Sequence, residues 1–281
     1  MRYVTATTEQ EAFSSLRQGE ISVVAGGTDF FPRLGDHKVM PPVLDITRLP
    51  GYRGISRNDG CWRIGAATRW SDISNADLPP AFDGLRAAAR EIGSVQIQNR
   101  GTIGGNLCNA SPAADSVPPL LTLNAEVELV SETATRQMPL QSFITGPGKT
   151  CLKEGEILKS VIIPELPEGA ISSFQKLGSR EYLVISIAMV ALLHIPENGQ
   201  TKAETRVSVG ACSPVACRLK RLEVELFGVQ RAEIPRQINS GHSDALSPIG
   251  DVRASMFYRL QAAETLVRRM LTGISKESTS G

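Results

Sequence analysis

The chain has 281 residues, 41% of them hydrophobic, which is enough for two compact units each with its own core. Thirty basic residues against twenty-nine acidic leave a formal charge of +1, so no global field would gather nucleic acid or an anionic membrane surface, and neither is expected as a partner. The five cysteines, Cys61, Cys108, Cys151, Cys212 and Cys217, form no C-x-x-C pair, and the start lacks the apolar run of a signal peptide; a reducing, cytoplasmic setting is expected.

A strand over 3–5 opens the chain. Thr8-Glu9-Gln10-Glu11 has the form of a capping box and predicts a helix through Leu16 and Arg17, ended by Gly19. Residues 21–24 and 43–46 read as strands, giving a small β-α-β-β subdomain that ends near residue 52. A first glycine turn, Ala25-Gly26-Gly27-Thr28-Asp29, would leave the carboxyl end of its central strand, where open α/β sheets bind ligands. Cys61-Trp62-Arg63-Ile64-Gly65 begins a second segment, and Leu85, Ala88, Ala89 and Ile92 recur at helical spacing, predicting a helix over 82–92. A second glycine turn, Thr102-Ile103-Gly104-Gly105-Asn106, follows.

Residues 115–123 read as a helix with Pro118-Pro119 in its first turn, where missing N–H donors cost little. Strands are predicted over 126–130 and around 157–163. Pro164-Glu165-Leu166-Pro167-Glu168-Gly169 is a linker, and the domain boundary is placed there. The most apolar stretch, 182–195, is shorter than the roughly 20 residues a membrane-spanning helix needs, and reads as a buried strand. After a turn at Pro196-Glu197-Asn198-Gly199, residues 207–211 would return antiparallel to it. A last helix is predicted over 253–271, stopped by Gly273, with a frayed tail over 276–281.

A glycine pair flanked by hydroxyl residues lets backbone N–H groups approach an anion, because no Cβ stands in the way and positive φ costs little. Two such turns point to a grip on a pyrophosphate; the alternative for each is an ordinary tight connection. Neither turn continues as Gly-Lys-Ser/Thr or reads G-x-G-x-x-G, which excludes the P-loop and the Rossmann fingerprint. Cys212 and Cys217 lack cluster spacing, and His37, His194 and His242 form no metal signature, so no metal is assigned.

Four stretches carry a family resemblance. They are Val24-Ala25-Gly26-Gly27-Thr28-Asp29, the run from Gln98 through Thr102-Ile103-Gly104-Gly105-Asn106-Leu107-Cys108-Asn109 to Asp115, Gly155-Glu156-Ile157-Leu158, and the run from Phe174 to Glu181. In these the chain resembles the FAD-binding, or medium, subunit of the molybdenum hydroxylases, the xanthine dehydrogenase and carbon monoxide dehydrogenase type. The resemblance implies an α+β fold of two domains. A two-part FAD-binding domain of the p-cresol methylhydroxylase type would cover 1–168, in subdomains of about 1–52 and 53–168. A smaller C-terminal α/β domain with an antiparallel sheet would cover 169–275.

It also implies an electron relay rather than a substrate-binding enzyme, with no catalytic residue assigned to this chain. A large partner subunit would carry molybdopterin and oxidise the substrate, and a small iron–sulfur partner would pass electrons through 2Fe-2S clusters. FAD in this chain would deliver them to NAD+ or another acceptor. Thr145-Gly146-Pro147-Gly148-Lys149-Thr150, followed by Glu156-Ile157-Leu158, is similar to bacterial xanthine dehydrogenase medium subunits. The competing expectation is a self-sufficient flavin oxidase or reductase of the same fold. Such an enzyme needs an acid/base cluster or substrate clamp near the ring, and the sequence offers none.

By the same resemblance Ala25, Gly26, Gly27, Thr28 and Asp29 would cradle the FAD pyrophosphate, with Asp29 pinning the loop, approaching a sugar hydroxyl, or simply capping. Thr102, Gly104, Gly105 and Asn106 would hold the opposite side of the dinucleotide. Asp115 would accept hydrogen bonds from FAD hydroxyls, or else serve as a helix N-terminal carboxylate. Leu158 would touch the flavin ring, although a leucine there is core by default. Lys176 would balance phosphate charge or the electron density that reduction places on the ring, and Tyr182 would wall it.

Overall fold

The computed structural model describes residues 2–35, 40–180, 183–199, 201–237 and 242–276. His37, Glu181, Tyr182 and residues 277–281 of the expected tail lie outside the described residues. The chain forms two compact units, one of Met1–Asn75, Gly93–Ala110 and Asn124–Glu165, the other of Ala76–Ile92, Ser111–Leu123 and Leu166–Gly281.

Among the described residues the first unit holds three sheets, the smallest a two-stranded pairing of Ile144–Gly146 with Lys149–Thr150. Strands Tyr3–Thr5, Val43–Asp45 and Ser22–Val24 pair in parallel, in that order across the sheet. Ser22–Val24, expected at the centre, is an edge strand. Burial decides the order, since Val43 and Leu44 are fully inaccessible whereas Val23 faces solvent. Helix Glu9–Arg17 lays Ala12 and Phe13 on Leu44, Ile46, Leu49 and Tyr52. Thr8 accepts the Glu11 N–H at 3.2 Å, as a cap should, but the Glu11 carboxylate reaches one residue further back and takes the Thr7 N–H at 2.8 Å and hydroxyl at 2.9 Å.

The second sheet of this unit is antiparallel, with strands in the order Ile55–Asn58, Cys61–Gly65, Ile157–Pro164, Glu126–Val130 and Thr135–Pro139. Its longest strand is central, and buried Val161 and Ile163 lie on the same face as each other by the two-residue period. A register shift between Leu158 and Ser160 marks a bulge. Beside it the Lys159 carbonyl accepts the Ala66 N–H at 2.9 Å, and the Ala66 carbonyl accepts the Gly104 N–H at 2.8 Å.

The second unit is built on an antiparallel sheet ordered Ile171–Leu177, Ala188–Ile195, Glu204–Gly210 and Cys217–Arg218. Every residue of Ala188–Ile195 is buried. Ala188, Val190 and Leu192 join Val207, Val209 and residues Ala263, Leu266 and Met270 of the last helix. Met189 and Ala191 face the other way, onto Phe174 and onto Ala88 of helix Asp83–Glu91. A strand covered on both faces needs apolar side chains throughout, which accounts for its unbroken hydrophobic run.

The last helix spans Met256–Lys276, so the predicted start at 253 and stop at Gly273 are both corrected. Asp251 takes the N–H groups of Arg253 and Ala254 at 2.9 and 3.3 Å, fixing a turn that delays the helix. Gly273 lacks the positive φ of a helix-ending glycine. Among the described residues no helix is long and apolar enough to cross a membrane.

Candidate functional site

The first glycine turn leaves the strand at Val24 and runs into a short helix, Phe30–Leu34. Gly27 has φ of +72°, and a Cβ there would stand 2.5 Å from the Phe31 ring, so both the backbone and the space demand glycine. Asp29 occupies the N-cap position but makes no side-chain cap bond. The N–H groups of Ala25, Gly26, Gly27, Thr28 and Asp29 have no acceptor among the described residues, and neither does the Thr28 hydroxyl. All five residues are at least partly exposed, so these donors are open to water or to an anion that displaces it.

The second glycine turn is not a free turn but the first turn of helix Ile103–Asn109, with Thr102 as its N-cap. Four of its five backbone donors are used internally: Ile103 N–H to the Thr68 carbonyl at 3.0 Å, Gly104 to Ala66, Gly105 to the Thr102 hydroxyl at 3.2 Å, and Asn106 to the Thr102 carbonyl at 3.0 Å, while the N–H of Thr102, which lines the cleft below, has no acceptor among the described residues. Gly104 is required by packing, since a Cβ would come within 2.6 Å of the Ala66 side chain. Gly105 is exposed on its outer side.

The two turns meet. A Cβ on Gly26 would lie 2.0 Å from the Arg100 carbonyl oxygen, and one on Gly101 would lie 3.4 Å from the Thr28 hydroxyl. The Gly101 carbonyl in turn accepts the Trp70 N–H at 3.1 Å. The second turn therefore buttresses the first by direct backbone contact.

Around Ala25, Gly26 and Thr102 lies a cleft of about 300 Å³, lined by four arginines, Arg48, Arg53, Arg69 and Arg100, against one carboxylate, Asp45. Asp45 is committed to the Tyr3 hydroxyl at 3.0 Å and to the Thr47 N–H and hydroxyl at 2.8 and 2.6 Å. Burial first, and then Asp45, push the Tyr3 hydroxyl above its ordinary pKa. Arg53 is held by Asp72 through bonds of 3.0 and 3.2 Å. Arg48 and Arg100 make no ion pair and no side-chain hydrogen bond with the described residues. Sequence reasoning missed both; Arg48 follows the carboxyl end of a strand and Arg100 directly precedes Gly101, and either position could have drawn notice.

Asp115 and Lys176 belong to the second unit, where they bond to each other. Lys176 donates to Asp115 at 3.0 Å, to the Glu91 carbonyl at 3.0 Å and to the Val184 carbonyl at 3.3 Å, which uses all three of its protons. The Ser186 hydroxyl donates to the other Asp115 oxygen at 2.5 Å. Burial raises the Asp115 pKa, opposed by the Lys176 charge and by both hydrogen bonds. Asp115 is thus a buried partner of Lys176 and not the cap of helix Val117–Thr122, whose N-cap is Ser116. Leu158, in the first unit, is buried beside the bulge.

Residues 1–166 match the family model described as the FAD binding domain in molybdopterin dehydrogenase. The chain is 31% identical over 279 residues to the xanthine dehydrogenase FAD-binding subunit of Escherichia coli O157:H7, covering 96% of this chain and 94% of that one. It is 30% identical, over 96% of this chain and 92% of the relative, to the 6-hydroxypseudooxynicotine dehydrogenase complex subunit alpha of Paenarthrobacter nicotinovorans. Among solved structures, carbon monoxide dehydrogenase from Hydrogenophaga pseudoflava superposes with a TM-score of 0.84 at 25% identity, covering 96% of this chain and 95% of the other.

Proposed function

This chain belongs to the family of FAD-binding domains in molybdopterin dehydrogenases, and we propose that it acts as the electron-relay subunit of such a complex, holding FAD through the first glycine turn. The observation that carries the reading is the row of five unspent N–H groups from Ala25 to Asp29, opening beside a cleft rich in arginine. A donor set of this kind fits a diphosphate and would repel a cation.

Ala25, Gly26, Gly27, Thr28 and Asp29 hold the diphosphate in this reading. Thr102, Gly104, Gly105 and Asn106 support them from behind, with the exposed side of Gly105 open to the dinucleotide. Leu158 is assigned to the flavin ring. Asp115 would accept hydrogen bonds from FAD hydroxyls through the acceptor capacity left on its two oxygens, each of which holds one bond, and Lys176 would balance cofactor charge while paired with Asp115. The FAD-binding domain covers 1–168, in parts of about 1–52 and 53–168 and of the p-cresol methylhydroxylase type, and a C-terminal domain covers 169–275.

Bound FAD would supply the means of collecting electrons singly and passing them on as a pair. The partners are an iron–sulfur subunit with 2Fe-2S clusters and a molybdopterin subunit, electrons pass to NAD+ or another acceptor, and the setting is cytoplasmic. The substrate class is purine-like, supported by the xanthine dehydrogenase relative, while the nicotine-derived substrate in the other relative's name marks the main competitor.

Affinity purification from the native host tests this. The expected result is a yellow protein with one FAD per chain, recovered together with iron–sulfur and molybdopterin subunits. A colourless chain that refuses added FAD, or a lone chain that turns over an organic substrate, would overturn it.

A further inference from the structure

We propose that Arg48 and Arg100 are diphosphate-gripping residues of the dinucleotide site, closing on the phosphates from the cleft side while the backbone of the first glycine turn holds them from the other. The proposal rests on the FAD reading above and adds two side chains that the glycine motifs do not contain.

Three observations lead to it. First, both arginines line the same cleft as Ala25 and Gly26, whose N–H groups are unspent. Second, two of the other charged groups near them are already engaged. Arg53 is paired with Asp72, and Asp45 is occupied by Tyr3 and Thr47. Arg48 and Arg100 are therefore the exposed arginines left for a ligand among the described residues of that wall, with half-buried Arg69 a third cation that no ion pair holds.

Third, both backbones are anchored while both side chains are not. The Arg100 carbonyl abuts Gly26 so closely that no Cβ fits between them. Arg48 follows Thr47, which Asp45 holds by two bonds. An arginine whose main chain is fixed and whose planar fork is free is suited to bidentate phosphate recognition.

The test uses the full chain stripped of flavin, titrated with FAD while its fluorescence quenching is followed, for the unsubstituted protein, Arg48→Gln, Arg100→Gln, the double variant and Arg100→Lys. Each Gln variant is expected to raise the FAD dissociation constant about tenfold or more, the scale of a charged hydrogen bond to phosphate. The double variant should also show a shallower dependence of that constant on salt, because fewer charges face the ligand. Arg100→Lys should recover part of the loss, and the flavin-free melting temperature should stay unchanged.

Unaltered affinity and salt dependence in the double variant, while the unsubstituted chain binds FAD, would overturn this proposal and leave the FAD reading intact. Lost affinity with an unchanged salt slope and a lowered melting temperature would make the arginines scaffold, and would overturn it as well. Failure of the unsubstituted chain to bind FAD would instead remove the reading beneath it.

Discussion

The cleft wall of the first unit and the interior of the second use their cations in opposite ways. In the second unit Lys176, with 6% of its side chain exposed, spends three protons on Asp115 and two carbonyls. Arg259 reaches the Ile187 and Ala211 carbonyls and Asp251, and Arg218 forks onto Glu223 at 2.6 and 2.8 Å. On the cleft wall Arg48 and Arg100 are exposed and make no such bond with the described residues. A charge removed from water must find a partner inside the protein or it destabilises the fold, whereas a charge kept in water can wait for a ligand. The difference separates groups that hold the structure from groups that are available for binding.

The largest effect that would sharpen this contrast is Lys176→Met. It strands the Asp115 carboxylate in a buried site and should cost about 3–5 kcal/mol, read from urea melts at neutral pH. The sign with pH follows from the direction of the shift. Burial already raises Asp115, and removing the opposing cation raises it further. A carboxyl with a folded pKa above its unfolded value binds its proton more tightly in the native state. The contribution of this group is therefore fully present below the unfolded carboxyl pKa of about 3.9, and the variant should lose stability as pH rises from there through the raised folded pKa. A cost below 1 kcal/mol that does not vary with pH would show that Lys176 is not a structural cation.

Gly104→Val is expected to have a smaller effect, confined to the first unit. Its Cβ would meet Ala66 side-chain and backbone atoms at 2.6 and 2.7 Å, and overpacking of that kind costs about 1–3 kcal/mol. The buttress behind the first turn would shift, so flavin content should fall together with the melting temperature. Full FAD occupancy in a destabilised variant would separate the two turns functionally and break the account of one supporting the other.

How much of this was legible in the sequence depended on where each element sits. The Ala188–Ile195 strand announced itself because both of its faces are covered, and the Thr8 cap because its pattern is local. Strands Ile55–Asn58 and Thr135–Pro139 did not, since each lies at a sheet edge and carries polar residues such as Arg57 and Gln137 among few apolar ones. Both glycine turns were visible, but their unequal use of N–H groups was not. Thr102 caps Gly105 three residues on, which could be read from a Thr-x-x-Gly spacing, yet the acceptors at Ala66 and Thr68 come from a distant stretch of chain. The same holds for Lys176 and Asp115, which are 61 residues apart. Burial that joins residues far apart in sequence leaves no periodicity to read.

The finest test of the comparison is Gly105→Ala, beside Gly104 in the same helix. Its Cβ would meet only the Thr102 hydroxyl, at 3.1 Å, a contact that a few tenths of an ångström would relieve. Alanine is favoured over glycine in a helix by up to about 1 kcal/mol, which offsets that adjustment, so the melting temperature should move little in either direction. FAD affinity is the informative measurement. Gly105 has no N–H to offer a ligand, so it can contribute only by letting the dinucleotide approach its bare Cα. A weaker dissociation constant at unchanged stability would place the dinucleotide against this exposed face. An unchanged constant would confine ligand contact to the first turn and the cleft, and reduce the second turn to its buttress.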